Sequence, residues 1–94
     1  MVRHIVAWKV KEENREANIE RMQRELTALV GKIEGLVSLE VGACFEGGEY
    51  SAALDSVFES REALDYYRTH PEHVKVADFI HTIALARTAI DYEI

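Results

Sequence analysis

The chain is short of the residues that staple or punctuate a fold. It has one cysteine, Cys44, so no intrachain disulfide can form, and the lone thiol reads as a small buried apolar side chain in a protein of a reducing, cytoplasmic compartment. Basic residues are outnumbered, 11 against 17 acidic, for a net charge of -6. Such a surface lacks the positive footprint that nucleic acid or an anionic membrane requires. No apolar run is long enough to span a bilayer, and the opening has no signal-peptide pattern, because a short apolar stretch after Arg3 and His4 runs into Lys9 and Lys11. No internal repeat, low-complexity segment or linker is visible. The expectation is a single domain over residues 1–94, small enough that a partner subunit would help cover its surface.

What is present is a succession of periodicities. Val2 to Val10 alternates, with His4, Val6, Trp8 and Val10 on one face and Ile5, Ala7 and Lys9 on the other, so it reads as a strand with two partly apolar faces. Asn14 is placed to cap a helix. From Arg15 the period changes, and Ile19, Met22, Leu26, Leu29, Val30 and Ile33 form an apolar stripe that predicts a helix ending near Glu34, with Gly35 suited to its terminus. Leu36 to Phe45 alternates again, Glu46-Gly47-Gly48-Glu49 is a turn, and Tyr50 to Glu59 returns as a second strand of a hairpin. Ser60 can cap a helix over Arg61 to Thr69, a further helical segment follows from Glu72 to His81, and Ile83 to Glu93 reads as the last strand. Leu64, Tyr67, Val74, Ala77 and Ile80 predict the buried stripe of the broken helix.

The order is β-α-β-β-α-β. This pattern predicts an α+β, ferredoxin-like fold, a four-stranded antiparallel sheet with both helical segments on one face. The other face, carrying Ile5 and Ala7, is left bare. The same face of a second copy would cover it, so a homodimer is expected.

Most of the chemistry lies in Asp65-Tyr66-Tyr67-Arg68-Thr69-His70-Pro71-Glu72-His73. Pro71 breaks the helix near His70 and suits the first turn of the next one. His73 then sits near the positive end of a helix dipole, which disfavours imidazolium. A neutral His73 can accept a proton, and the Tyr67 hydroxyl can donate a hydrogen bond to developing negative charge. A structural reading stands beside this one, in which these side chains bond backbone groups at the helix break. His70 and His73 have the spacing of metal ligands, but Pro71 interrupts their helix and no third ligand is evident except Glu72, so no metal is expected.

The opening Val2-Arg3-His4-Ile5-Val6-Ala7-Trp8-Lys9, the strand Leu39-Glu40-Val41-Gly42, Phe58-Glu59-Ser60, the run from Tyr67 to His73 and the terminal Asp91-Tyr92 resemble the stress-responsive dimeric α+β barrel (Dabb) family from end to end. The resemblance implies two ferredoxin-like subunits with their sheets brought together as a barrel, and it implies no firmly assignable catalysis. One branch, the polyketide cyclases of the olivetolic acid type, uses a histidine and a tyrosine as an acid-base pair. The residues here matching that pair are His73 and Tyr67, with His4 facing the same pocket.

On that resemblance Val6, Trp8, Met22, Leu26, His70 and Val74 would line a ligand pocket, with Met22 and Leu26 where the cyclase has aromatic residues. Trp8 stands where the cyclase has a smaller side chain, which implies a smaller ligand or none. The alternative to an activity-free domain is thus a small-molecule-binding protein, or a cyclase-like lyase, acting on a carbonyl or phenolic compound. Haem or oxygenase chemistry, known in other dimeric α+β barrels, has no residue-level support here, and no cofactor is expected.

Overall fold

The computed structural model describes all residues, Met1–Ile94. Its elements are β1 (Val2–Val10), α1 (Arg15–Thr27), β2 (Leu36–Ala43), β3 (Ala52–Phe58), α2 (Arg61–Thr69), α3 (Pro71–Ile83) and β4 (Ala84–Glu93). The strands form one sheet in the order β2-β3-β1-β4 with every neighbouring pair antiparallel. This is the expected ferredoxin-like arrangement. Alternation along β1 is strict: Val2, His4, Val6, Trp8 and Val10 are buried beneath the helices while the residues between them are half-buried on the other face. No helix is long and apolar enough to cross a membrane.

The differences from the sequence reading have local causes. Helix α1 ends at Thr27 rather than Glu34. The Thr27 hydroxyl donates to the Gln23 carbonyl at 2.6 Å, a bond that competes with the helix ladder, and Gly31 takes φ +91°. Single turns then carry Leu29 and Ile33 back into the core, both 2 % exposed. Their three- and four-residue spacing matches their burial, but the chain between them is not continuous helix. Asn14 precedes α1 in the left-handed region, and its side chain makes no capping bond.

A bulge between Leu36 and Ser38 breaks the alternation of β2, so Val37 is exposed and Leu36, Leu39 and Val41 face the core side. Phe45 lies beyond the strand and is almost fully exposed. Gly35, at φ +91°, could not carry a side chain, because an added Cβ would stand 2.6 Å from that of Ala63.

The break between α2 and α3 falls as Pro71 dictates. Ser60 accepts a bond from the Ala63 amide at 3.1 Å and starts α2. His70 leaves helical angles, Pro71 opens α3, and the His70 ring accepts from the Glu72 amide at 3.1 Å. Restarting the helix also re-phases it. The apolar stripe of α3 is Val76, Ile80 and Ile83, whereas Val74 is exposed.

Candidate functional site

Three elements converge over the sheet between α2, α3 and β4. An open cleft of about 320 Å³ lies there, with the helix-facing side of β1 and β3 beneath it. His4, Val6 and Trp8 reach it from β1 and Leu54 from β3. Leu26 closes it from α1, Tyr67 and Arg68 from α2, and His73, Ala77, Ile80 and His81 from α3. Arg87 of β4, opposite Trp8 in the strand register, completes the wall.

The three expected site residues meet here. Tyr67 packs on Phe58 with ring centroids 4.9 Å apart, and His73 lies over Tyr67 at 4.0 Å with an interplanar angle of 31°. His73 Nδ1 donates to the Arg68 carbonyl at 3.3 Å. A carbonyl can only accept, so the proton of the neutral ring sits on Nδ1 and Nε2 keeps its lone pair. Burial is the main force lowering the His73 pKa; the bond to Arg68 works against it, and the charges of His4, Arg87 and His70 add to the lowering. Tyr67 is pushed well above the ordinary phenol value by burial, with the Arg87 charge pulling the other way. At neutral pH the site therefore presents an imidazole base beside a phenol donor.

His4 is held differently. Its Nδ1 donates to the Asp91 carboxylate, and its backbone carbonyl accepts from the buried Ser56 hydroxyl at 2.8 Å. The second oxygen of Asp91 takes the Arg68 guanidinium at 2.9 Å, and Arg68 also reaches Asp65 at 3.0 Å. Desolvation alone would raise the Asp91 pKa. The hydrogen bond and charge of His4, together with Arg68, outweigh it and hold the carboxyl below the usual range. This chain of contacts ties β1 and β4 to the end of α2.

Both shifts have the same sign for stability. Unfolded His73 binds a proton near pH ~6.5 while folded His73 resists it, so the unfolded state takes up more protons as pH falls below that value. Asp91 contributes stability that is complete above the ordinary carboxylate value and is lost as pH falls through its lower folded value. The expected result is a melting temperature that declines from pH 7 to pH 5, and declines less in His73→Gln. A parallel decline in the two proteins would show that another group controls the loss.

Of the expected pocket residues, Val6, Trp8 and Leu26 line the cleft, and Met22, His70 and Val74 do not. Met22 is fully buried in the core. His70 turns its ring to the Glu72 amide as the α3 cap, and Val74 points to solvent on the far side of the re-phased helix. Sequence reasoning missed Arg68, His81 and Arg87. His73, Ala77 and His81 follow at four-residue steps, a usable signal for one helix face. Arg87 carried no such signal, because its neighbourhood depends on the β1–β4 register.

The fold has close structural relatives. A dimeric protein of unknown function with a ferredoxin-like fold from Bacteroides fragilis is 31% identical, with a TM-score of 0.90 over 99% of this chain and 95% of that one. At3g17210 from Arabidopsis thaliana is 26% identical, with a TM-score of 0.88 over 100% and 95%. A hydroxynitrile lyase from Passiflora edulis, 17% identical, shares the fold with a TM-score of 0.87 over 99% and 92%. None of the curated proteins matches the chain. The stress responsive A/B barrel domain model matches residues 2–94. With its strand order, its helix break at Pro71 and this match over nearly all of its length, the chain belongs to the stress responsive A/B barrel domain (Dabb) family.

Proposed function

We propose that this protein is a homodimeric, cytoplasmic small-molecule-binding domain whose cleft moves a proton at a carbon next to a carbonyl, or holds a phenolic compound in the same place. The observation that carries this reading is what remains after the structural bonds are assigned. His70 caps α3 and His73 Nδ1 bonds the Arg68 carbonyl, and these are the structural bonds the two rings make at the helix break. The His73 Nε2 lone pair and the Tyr67 hydroxyl are left over in the cleft wall, both in the neutral state. In the reaction His73 Nε2 would take the proton, the C–H bonding pair would form the carbon–carbon double bond of the enolate as the carbonyl π pair moves onto oxygen, and the Tyr67 hydroxyl would donate a hydrogen bond to that oxygen. His4, fixed by Asp91, would orient the ligand.

The dimer follows from the uncovered face of the sheet. Ile5 and Ala7 are half-buried there, and Ile90 and Tyr92, opposite Ile5 and Arg3 in the register, are exposed. The same face of a second copy buries these side chains, and the Bacteroides fragilis relative is itself described as dimeric. Sedimentation at micromolar concentration should give a dimer, and Ile90→Asp should shift it toward monomer. For the cleft, the four histidine side chains can be followed by NMR while small phenols and β-keto acids are added. Concerted movement of His73 and His4 supports the reading, and a panel that moves neither overturns it.

A further inference from the structure

The cleft is electropositive in a protein that is not. The chain carries a net charge of -6, yet none of the residues lining the cleft is acidic, while arginine and histidine contribute from β1, α2, α3 and β4. Arg68 is committed, its guanidinium shared between Asp65 and Asp91. Arg87 has no carboxylate partner in the chain, and its charge acts on both His73 and Tyr67. Edge-strand geometry explains its placement. Arg87, Ala89 and Asp91 alternate onto the helix-facing side of β4, opposite Trp8, Val6 and His4. Asp91 at one end is neutralised by His4 and Arg68, and the Arg87 guanidinium at the other end stands without a carboxylate.

From this arrangement we infer that the cleft selects a small carboxylic acid with an apolar body, its carboxylate paired with Arg87 and its carbonyl or phenol directed to His73 and Tyr67. The inference rests on the binding reading above and specifies its ligand class. One guanidinium fork matches one carboxylate. Trp8, Val6, Leu54 and Ile80 supply apolar wall for the body of the ligand. A volume of about 320 Å³ is at the small end for ligand pockets, which suits a single ring or a short chain. A β-keto acid satisfies every feature, because its carbonyl is two bonds from the carboxylate carbon and its acidic C–H lies between them.

The test compares 4-hydroxybenzoate with 4-hydroxybenzamide, probes of equal shape that differ in charge. Binding to the purified dimer is measured by calorimetry and by the His73 NMR shift. The acid should bind about tenfold more tightly than the amide, as a charge-assisted bond implies, and added salt should weaken the acid alone. In Arg87→Gln the preference should collapse toward one because the acid loses far more affinity than the amide, and Arg87→Lys should restore part of it. Arg87 is exposed on an edge strand, so these variants leave the core intact. Equal binding of the two probes, or a preference that survives Arg87→Gln, overturns the assignment and leaves the binding reading standing. Failure of both probes to move any cleft resonance overturns the two together.

Discussion

Replacing His73 with alanine is expected to slow exchange of the acidic proton of a bound β-keto acid for deuterium by about 10²- to 10⁴-fold, the range typical of a positioned general base. The Arg68 carbonyl fixes the tautomer that leaves Nε2 free, Tyr67 packs against the ring at 4.0 Å, and burial keeps the imidazole neutral. The protein should survive the change, since it loses one long hydrogen bond worth about 1 kcal/mol and some aromatic contact. Tyr67→Phe is the companion variant, because it retains the packing on Phe58 and removes the donor to the enolate oxygen. Proton NMR in deuterated buffer reads both. Exchange that proceeds unchanged in folded His73→Ala would remove this mechanism.

The largest stability effect is expected at Phe58. Its ring is fully buried, touches Tyr67 at 4.9 Å and stands edge-on to His4 at 6.2 Å. Truncating such a residue costs its transfer free energy plus the cavity left behind, about 3–5 kcal/mol, which is a large part of the ~5–15 kcal/mol that holds a domain of this kind together. Phe58→Ala should therefore shift the urea midpoint strongly downward and loosen both flanking site residues, so that ligand response at His73 and His4 fades with stability. Phe58→Leu, which fills most of the volume, should recover most of the stability. An alanine variant within 1 kcal/mol of the parent would mean that the platform under Tyr67 is not what orders the site.

Several features were legible because they depend on short-range rules. Period-two alternation placed His4, Val6 and Trp8 on one face of β1, and Pro71 fixed the helix break to the residue. Ser60 and Pro71 marked two helix starts. The bare sheet face was equally readable, because two apolar faces on one strand require two covers. Where competing local bonds or a bulge intervened, pattern failed. Leu29 and Ile33 kept their burial while the helix under them unwound, and Val37 was turned out by a one-residue irregularity that periodicity does not encode.

The site was readable in part. His73, Tyr67 and His4, expected from residue chemistry and family resemblance, line one cleft, whereas three of the six further expected pocket residues belong to the core, a helix cap and the surface instead. Helix phase after a break cannot be extrapolated across it, which is why Val74, expected in the buried stripe, is exposed while Val76 is buried. By itself the sequence determined the element order and the family, since each follows from neighbours within a few positions or from motif identity. The tertiary structure alone decided that Asp91 holds His4, that Arg68 is neutralised and that Arg87 is not, because each of these depends on strands and helices distant in sequence being brought into one register.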